Sequence, residues 1–208
     1  MEKSKAKRPL EAREISIIAI FAAMTAILSQ IAVPLPFTPM PISFGLVAVY
    51  ITGIMLKPKH AVFTQLCYLA LGAVGLPVYS NFHGGIAALF GPTGGYLMAY
   101  PIMAWIVSAS LNSRISRQFE KRQSKIWLFV KAGVAMLVAH IILYSLGTLW
   151  FGITAGVTLG AALALTVIPF IPLDVVKIVF CIVAVVPFRS RMLALNMLLL
   201  DDFEPRRR

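Results

Sequence analysis

The sequence predicts an all-α membrane protein of six transmembrane helices, and three observations lead there. The first is composition: 59% of the 208 residues are apolar and 13% charged, with a mean hydropathy of +0.85. Water-soluble domains sit nearer half apolar and a quarter charged. The second is the recurrence of apolar stretches at 15–34, 42–56, 60–78, 94–112, 127–152 and 171–188. Several reach the roughly 20 residues needed to cross a hydrocarbon core about 30 Å thick. The strict alternation of a membrane barrel is missing, which leaves helices as the spanning structure. A single integral membrane domain over 1–208 is expected.

The third observation is where the charges fall. A net charge of +11 could suggest a nucleic-acid partner, but the basic residues form no patch. Lys3, Lys5, Lys7, Arg8 and Arg13 precede span one, and Lys57 and Lys59 separate spans two and three. Arg114, Arg117, Lys121, Arg122, Lys125 and Lys131 lie between or at the ends of spans four and five, and Arg189, Arg191 and Arg206 to Arg208 follow span six. Threading six spans puts all of these on one side. The positive-inside rule then places both termini in the cytoplasm and the chain in the cytoplasmic membrane. The basic N-terminal start resembles a signal peptide, but Ile15 to Val33 is long for such a core and reads as a retained first span.

Taken in order, span one ends at the proline-rich stretch Val33 to Pro41, where lost N–H donors forbid further helix and predict a packed outer loop. Span two runs to Lys57-Pro58-Lys59, and span three closes at Gly75-Leu76-Pro77. The segment from Val78 to Tyr96 is rich in glycine, aromatics and small polar groups. It is more apolar than water favours, so it reads as a lid folded back on the helices, with a rigid packed connector as the alternative. Ile153 to Leu165 reads as a short interfacial helix before Pro169 and Pro172 interrupt the backbone and span six begins.

Against this background two charges stand out. Glu2, Glu11, Glu14, Glu120, Asp201, Asp202 and Glu204 all fall in cytoplasmic segments, which leaves Asp174 as the acid inside a span and Lys177 as the base beside it. Three residues apart, they share a helix face near the start of span six. A charge in hydrocarbon costs about 2.5–3.5 kcal/mol on insertion scales and by default marks a ligand or ion pathway. An internal salt bridge that only fixes packing is the alternative. A second constellation is Ala19, Ala22, Ala23 and Ala26, overlapping small-xxx-small patterns that let another helix approach closely, either within this chain or on a partner.

Other chemistries find no support in the residues. His140 reads as a hydrogen-bonded core group; Cys67 and Cys181 lack any metal-ligand spacing and read as packed free thiols. Gly91-Pro92-Thr93-Gly94-Gly95 lacks the lysine of a phosphate-cradling loop, so neither cofactor nor ATP site is expected. With no paired carboxylates or nucleophile–base motif, the chain reads as a binding protein rather than an enzyme.

Four islands then carry a family resemblance: Pro34-Leu35-Pro36-Phe37-Thr38-Pro39-Met40-Pro41-Ile42; Leu71 to Val78; Gly84-Gly85 with Leu89-Phe90-Gly91-Pro92-Thr93-Gly94-Gly95-Tyr96-Leu97; and Pro169 to Lys177. In these the chain resembles the BioY family, the biotin-specific S components of energy-coupling-factor (ECF) transporters. The resemblance implies a six-helix S-component bundle that binds biotin from outside, without a cofactor. It implies that Asp174 and Lys177 line the vitamin site, that Asn81 contacts the ligand, and that Tyr79, Phe82, Phe90 and Tyr96 suit its apolar parts. The loop carrying Gly84, Gly85, Gly91, Thr93 and Gly94 would close over it. The alanine face of span one would dock a transmembrane coupling subunit, which carries two ATPase subunits. The chain departs from the family's common pattern at Gly45, where a glutamine is frequent, and at Ser80 to His83. An S component for another vitamin, an intramembrane enzyme and a purely structural membrane protein are the competing readings.

Overall fold

The computed structural model describes residues 12–36, 38–113 and 125–194, and is mostly helical. The basic residues expected at 3–8, 114–122 and 206–208, and the acids at 2, 11, 120, 201, 202 and 204, lie outside the described residues. Among those described, four helices are long and apolar enough to cross a membrane: Ala12–Gln30, Gly94–Leu111, Ile126–Ala155 and Ile171–Met192. Outward-facing Ile20, Ile27, Val134, Ile141 and Val183 give these helices the apolar surface that lipid requires.

Helix α1 (Ala12–Gln30) stops where the proline-rich stretch begins. That stretch departs from the expected loop. It forms an antiparallel hairpin, β1 (Ala32–Leu35) with β2 (Thr38–Ser43), pairing Ala32 with Ser43 and Val33 with Ile42. Prolines survive there because a two-stranded ribbon consists of edges, where a missing N–H need not break a ladder. The register slips between Val33 and Leu35, around Pro34. Ser43 Oγ donates to the Ser29 carbonyl at 3.2 Å and ties the hairpin to α1.

Helix α2 (Gly45–Met55) therefore begins three residues later than the apolar run suggested and has 11 residues, a length of roughly 17 Å at 1.5 Å per residue. It is buried on almost every side and forms the axis of the core. A side chain at Gly45 would collide with Ser29, so glycine sets how close α2 starts to α1. Helix α3 (Pro58–Ala73) carries proline at its first position, where no donor is needed. Gln65 on α3 donates to Thr25 of α1 at 3.4 Å and Thr52 of α2 at 3.2 Å, so one amide joins three helices.

After the short α4 (Ile86–Phe90), α5 (Gly94–Leu111) packs along α6 (Lys125–Ala155) in the most extensive helix pairing of the molecule. A short helix does follow, α7 (Leu159–Thr166), N-capped by Thr158, but it begins six residues later than Ile153 because α6 runs on to Ala155 and the chain then turns at Gly156, whose φ is positive. The last long helix is α8 (Ile171–Phe180), a π-helical turn at Cys181–Val185, and α9 (Val186–Ala194). The wide turn lies just before Pro187, whose missing N–H cannot complete an ordinary α-helical ladder.

Two charges placed by sequence in cytoplasmic loops are interior. Glu14 accepts from His60 Nε2 at 2.9 Å across α1 and α3, both residues buried. Arg189 is fully buried and donates to the Ile54 carbonyl and to Asn112 Oδ1. Asn112 in turn donates to the Leu56 carbonyl at 3.1 Å. The C-terminal carbonyls of α2 have no partners within their own helix, and these side chains supply donors for them. Cys67 is exposed on α3, whereas Cys181 is packed. Arg189→Met keeps the aliphatic stem but strands buried acceptors. It should destabilise the chain by about 1–3 kcal/mol, measured as a lowered unfolding midpoint in detergent.

Candidate functional site

Helix α8 opens with Pro172 in its first turn, which puts Asp174 close to the N-terminal end, where the helix dipole favours an anion. Asp174 is 5% exposed and Lys177 9%. One turn apart, they form an ion pair, Lys177 Nζ donating to Asp174 Oδ1 at 2.9 Å. The other carboxylate oxygen is held from α6. Tyr144 Oη donates to Oδ2 at 2.7 Å, and His140 Nε2 lies 3.1 Å from the same atom. Because an ionised carboxylate only accepts, the imidazole nitrogen facing it carries the hydrogen. His140 and Tyr144 are four residues apart on one helix face, with ring centroids 4.4 Å apart in an edge-to-face contact. Behind them, Tyr50 of α2 bonds His140 Nδ1 at 2.8 Å.

The arrangement is thus a carboxylate and an ammonium inside an apolar bundle, backed by an aromatic wall. Tyr96 of α5 stands one turn of α6 beyond Tyr144, with its hydroxyl 2.9 Å from Thr148 Oγ1. Its ring occupies the space that any side chain at residue 147 would need, so Gly147 is a space requirement of this wall.

The outer segment is ordered and pinned at several points. Gly85 N–H donates to the Gly72 carbonyl at 2.7 Å, and Tyr79 N–H to the His83 carbonyl at 3.0 Å. Trp150 of α6 donates to the Gly91 carbonyl at 2.9 Å. Asn81 and Phe82 adopt the left-handed backbone region in succession, with φ of 59° and 58°. Such positions cost of order 1–3 kcal/mol each and persist only when neighbours hold them. The holder is Gln30 at the end of α1: its Oε1 accepts from the Phe82 N–H at 2.9 Å and its Nε2 donates to the Pro77 carbonyl at 3.4 Å.

The sequence-derived site residues therefore divide. Asp174 and Lys177 come together, and Tyr96 lies one turn of α6 further along, at Thr148. Asn81 is exposed, and Phe82 and Phe90 are 69% and 61% exposed on the outer segment, outside the hydrogen bonds of the Asp174 cluster. Tyr79 is buried instead against α3, its hydroxyl donating to the Leu69 carbonyl at 2.7 Å and its ring filling the space over Gly72. Burial pushes that phenol up to about 12, which keeps it a neutral donor. Gly84 sits where a side chain would strike the Leu76 carbonyl, Gly85 has a positive φ of 90°, and Gly91, Thr93 and Gly94 form the turn into α5. Of the alanines, Ala22 is packed, with Ala26 beside it, against Tyr68 and Tyr79, while Ala19 and Ala23 face outward. Tyr50, Tyr144 and Gln30 were not singled out by sequence. A polar pair at i and i+4 inside a span, His140 and Tyr144, was the signal that could have found the wall.

Comparison with known proteins places this geometry in a family. The BioY family model matches residues 1–194. A protein of Pyrococcus horikoshii named a probable biotin transporter BioY is 34% identical over 81% of this chain and 91% of its own length. A biotin transporter BioY of Thermotoga maritima is 30% identical over 87% of this chain and 97% of its own. Among solved structures, the S-component for biotin from an ECF-type ABC transporter superposes with a TM-score of 0.74 at 24% identity, covering 88% of this chain and 95% of that one. The fold is shared.

Gln30→Leu should release the 79–83 turn from α1. Amide hydrogen exchange over residues 79–85 is expected to rise about tenfold or more, for the loss of a bond worth roughly 1–1.5 kcal/mol, while α6 stays protected.

Proposed function

The chain belongs to the BioY family, and we propose on that premise that it takes up biotin across the cytoplasmic membrane as the substrate-specific S component of an ECF transporter. The observation that carries the reading is the Asp174–Lys177 pair, an anion and a cation less than one-tenth exposed and side by side within a membrane-crossing helix. Biotin's ureido group offers N–H donors and a carbonyl acceptor, which a carboxylate and an ammonium complement. The aromatic wall of Tyr96 and Tyr144 suits its apolar ring. Asn81, Phe82 and Phe90, presented outward on the pinned segment, reach the ligand as the loop from Gly84 to Gly94 closes.

Six spans with both termini cytoplasmic fit the short helices: α2 crosses with the hairpin completing its path, and α3 returns. The chain is a transporter subunit, not an enzyme. Energy comes from a transmembrane coupling subunit and two ATPase subunits. Ala19 and Ala23, outward on α1, offer the coupling subunit a close approach, while Ala22 and Ala26 serve internal packing.

Orientation is tested with single cysteines in a background lacking Cys67 and Cys181. Ser80→Cys should react with an impermeant thiol reagent from outside intact cells, and Ser124→Cys should not; the reverse pattern would invert the topology.

The site is tested by calorimetry with purified protein. Asp174→Asn sets an amide N–H against one of three donors and removes the charge. Charge-assisted bonds contribute roughly 1.5–3 kcal/mol, so biotin affinity should fall by about tenfold to a hundredfold. Lys177→Met should also weaken binding, because it leaves Asp174 short of its cation. A folded Asp174→Asn/Lys177→Met double variant should not bind biotin. Wild-type affinity in that variant would reduce the pair to a packing device.

A further inference from the structure

We propose that His140, clamped from behind by Tyr50, is a positioning residue that turns the Asp174 carboxylate so that Oδ1, and not Oδ2, meets an incoming donor. The inference rests on the reading that Asp174 contacts biotin, and adds what orients it.

An ionised carboxylate has about four acceptor positions, two on each oxygen. Oδ2 is occupied twice by the chain's own donors, His140 Nε2 at 3.1 Å and Tyr144 Oη at 2.7 Å. Oδ1 is occupied once, by Lys177 Nζ at 2.9 Å. Among the described residues, one acceptor position therefore stays open, on the oxygen next to the ammonium.

What keeps it there is a chain of contacts running away from the ligand. The imidazole is bonded at both nitrogens, to Asp174 and to Tyr50 Oη at 2.8 Å, and the Tyr144 ring is packed edge-to-face with it. Tyr50 is fully buried on α2, the helix surrounded on nearly all sides, so the clamp is anchored in the packed core of the bundle. Asp174 has two side-chain torsions and Lys177 sits on the same helix face. With His140 lost, Tyr144 holds Oδ2 at a single point, about which the carboxylate can turn and bring both oxygens to the ammonium, closing the open position; the second bond, from His140, fixes that rotation.

The geometry separates orientation from mere packing. A glutamine at 140 carries an amide nitrogen near the place of Nε2, keeping the bond to Asp174 but losing Tyr50. An asparagine reaches only the place of Nδ1, keeping Tyr50 but losing Asp174. Biotin affinity of the purified full-length chain would be measured by calorimetry for His140→Gln, His140→Asn, His140→Leu and Asp174→Asn, and for His140→Asn combined with Asp174→Asn. His140→Asn and His140→Leu should each bind about tenfold more weakly, while His140→Gln, which keeps the bond to Asp174 but loses the Tyr50 anchor, should weaken binding by about threefold. In the Asp174→Asn background, His140→Asn should add no further loss, since there is no longer a carboxylate to orient. Equal affinities for the Gln and Asn variants would overturn the proposal, as would an Asn penalty that persists undiminished without Asp174. Wild-type binding by Asp174→Asn would instead remove the biotin-site reading itself, a failure distinct from that of the clamp.

Discussion

The bundle is organised around a buried carboxylate that cannot be left unpaired. Taking Asp174 out of water costs several kcal/mol unless donors replace the hydration shell, and α8 by itself supplies only Lys177. The rest comes from α6, through His140 and Tyr144, and α2 stands behind them through Tyr50. Three helices must therefore meet at a defined rotation. This is a stronger constraint than apolar packing, because in lipid one greasy helix face is nearly as good as another.

The same accounting governs the backbone. A membrane helix must satisfy its own polar groups, yet α2 is too short to cross alone and ends inside protein. Its orphaned carbonyls are met by side chains from α5 and α9, Ser108, Asn112 and Arg189. At the other end the hairpin, with Ser43 bonded back to Ser29, takes over from α1. Irregular backbone is tolerated at these depths because it is enclosed by other elements.

How much of this could be read from the residues follows from which forces are local. The long helices were legible because hydrophobic runs and proline stops act within a few residues. The region of α7 and the interior place of Asp174 and Lys177 were legible for the same reason. The hairpin was not, since prolines at 34, 36, 39 and 41 argue against ladder bonds unless the ribbon is two-stranded. The burial of Arg189 and Glu14 was not legible because charge counting assigns a basic or acidic residue near a span end to water, while their partners, Asn112 and His60, lie 77 and 46 residues away in sequence. The alanines on α1 obeyed the small-residue pattern as a group. Only burial divides them, with Ala22 turned to Tyr68 and Tyr79 and with Ala19 and Ala23 turned away.

That division gives α1 a dual role. One face carries the small outward residues suited to a close-packed partner, and the helix end carries Gln30, which holds the strained Asn81–Phe82 turn of the outer segment. The two consecutive left-handed residues are held by the Gln30 bond together with the Tyr79–His83 pairing that closes the turn. The turn is therefore tied to the end of α1, through the Phe82 N–H on Gln30 Oε1 and the Gln30 amide on the Pro77 carbonyl.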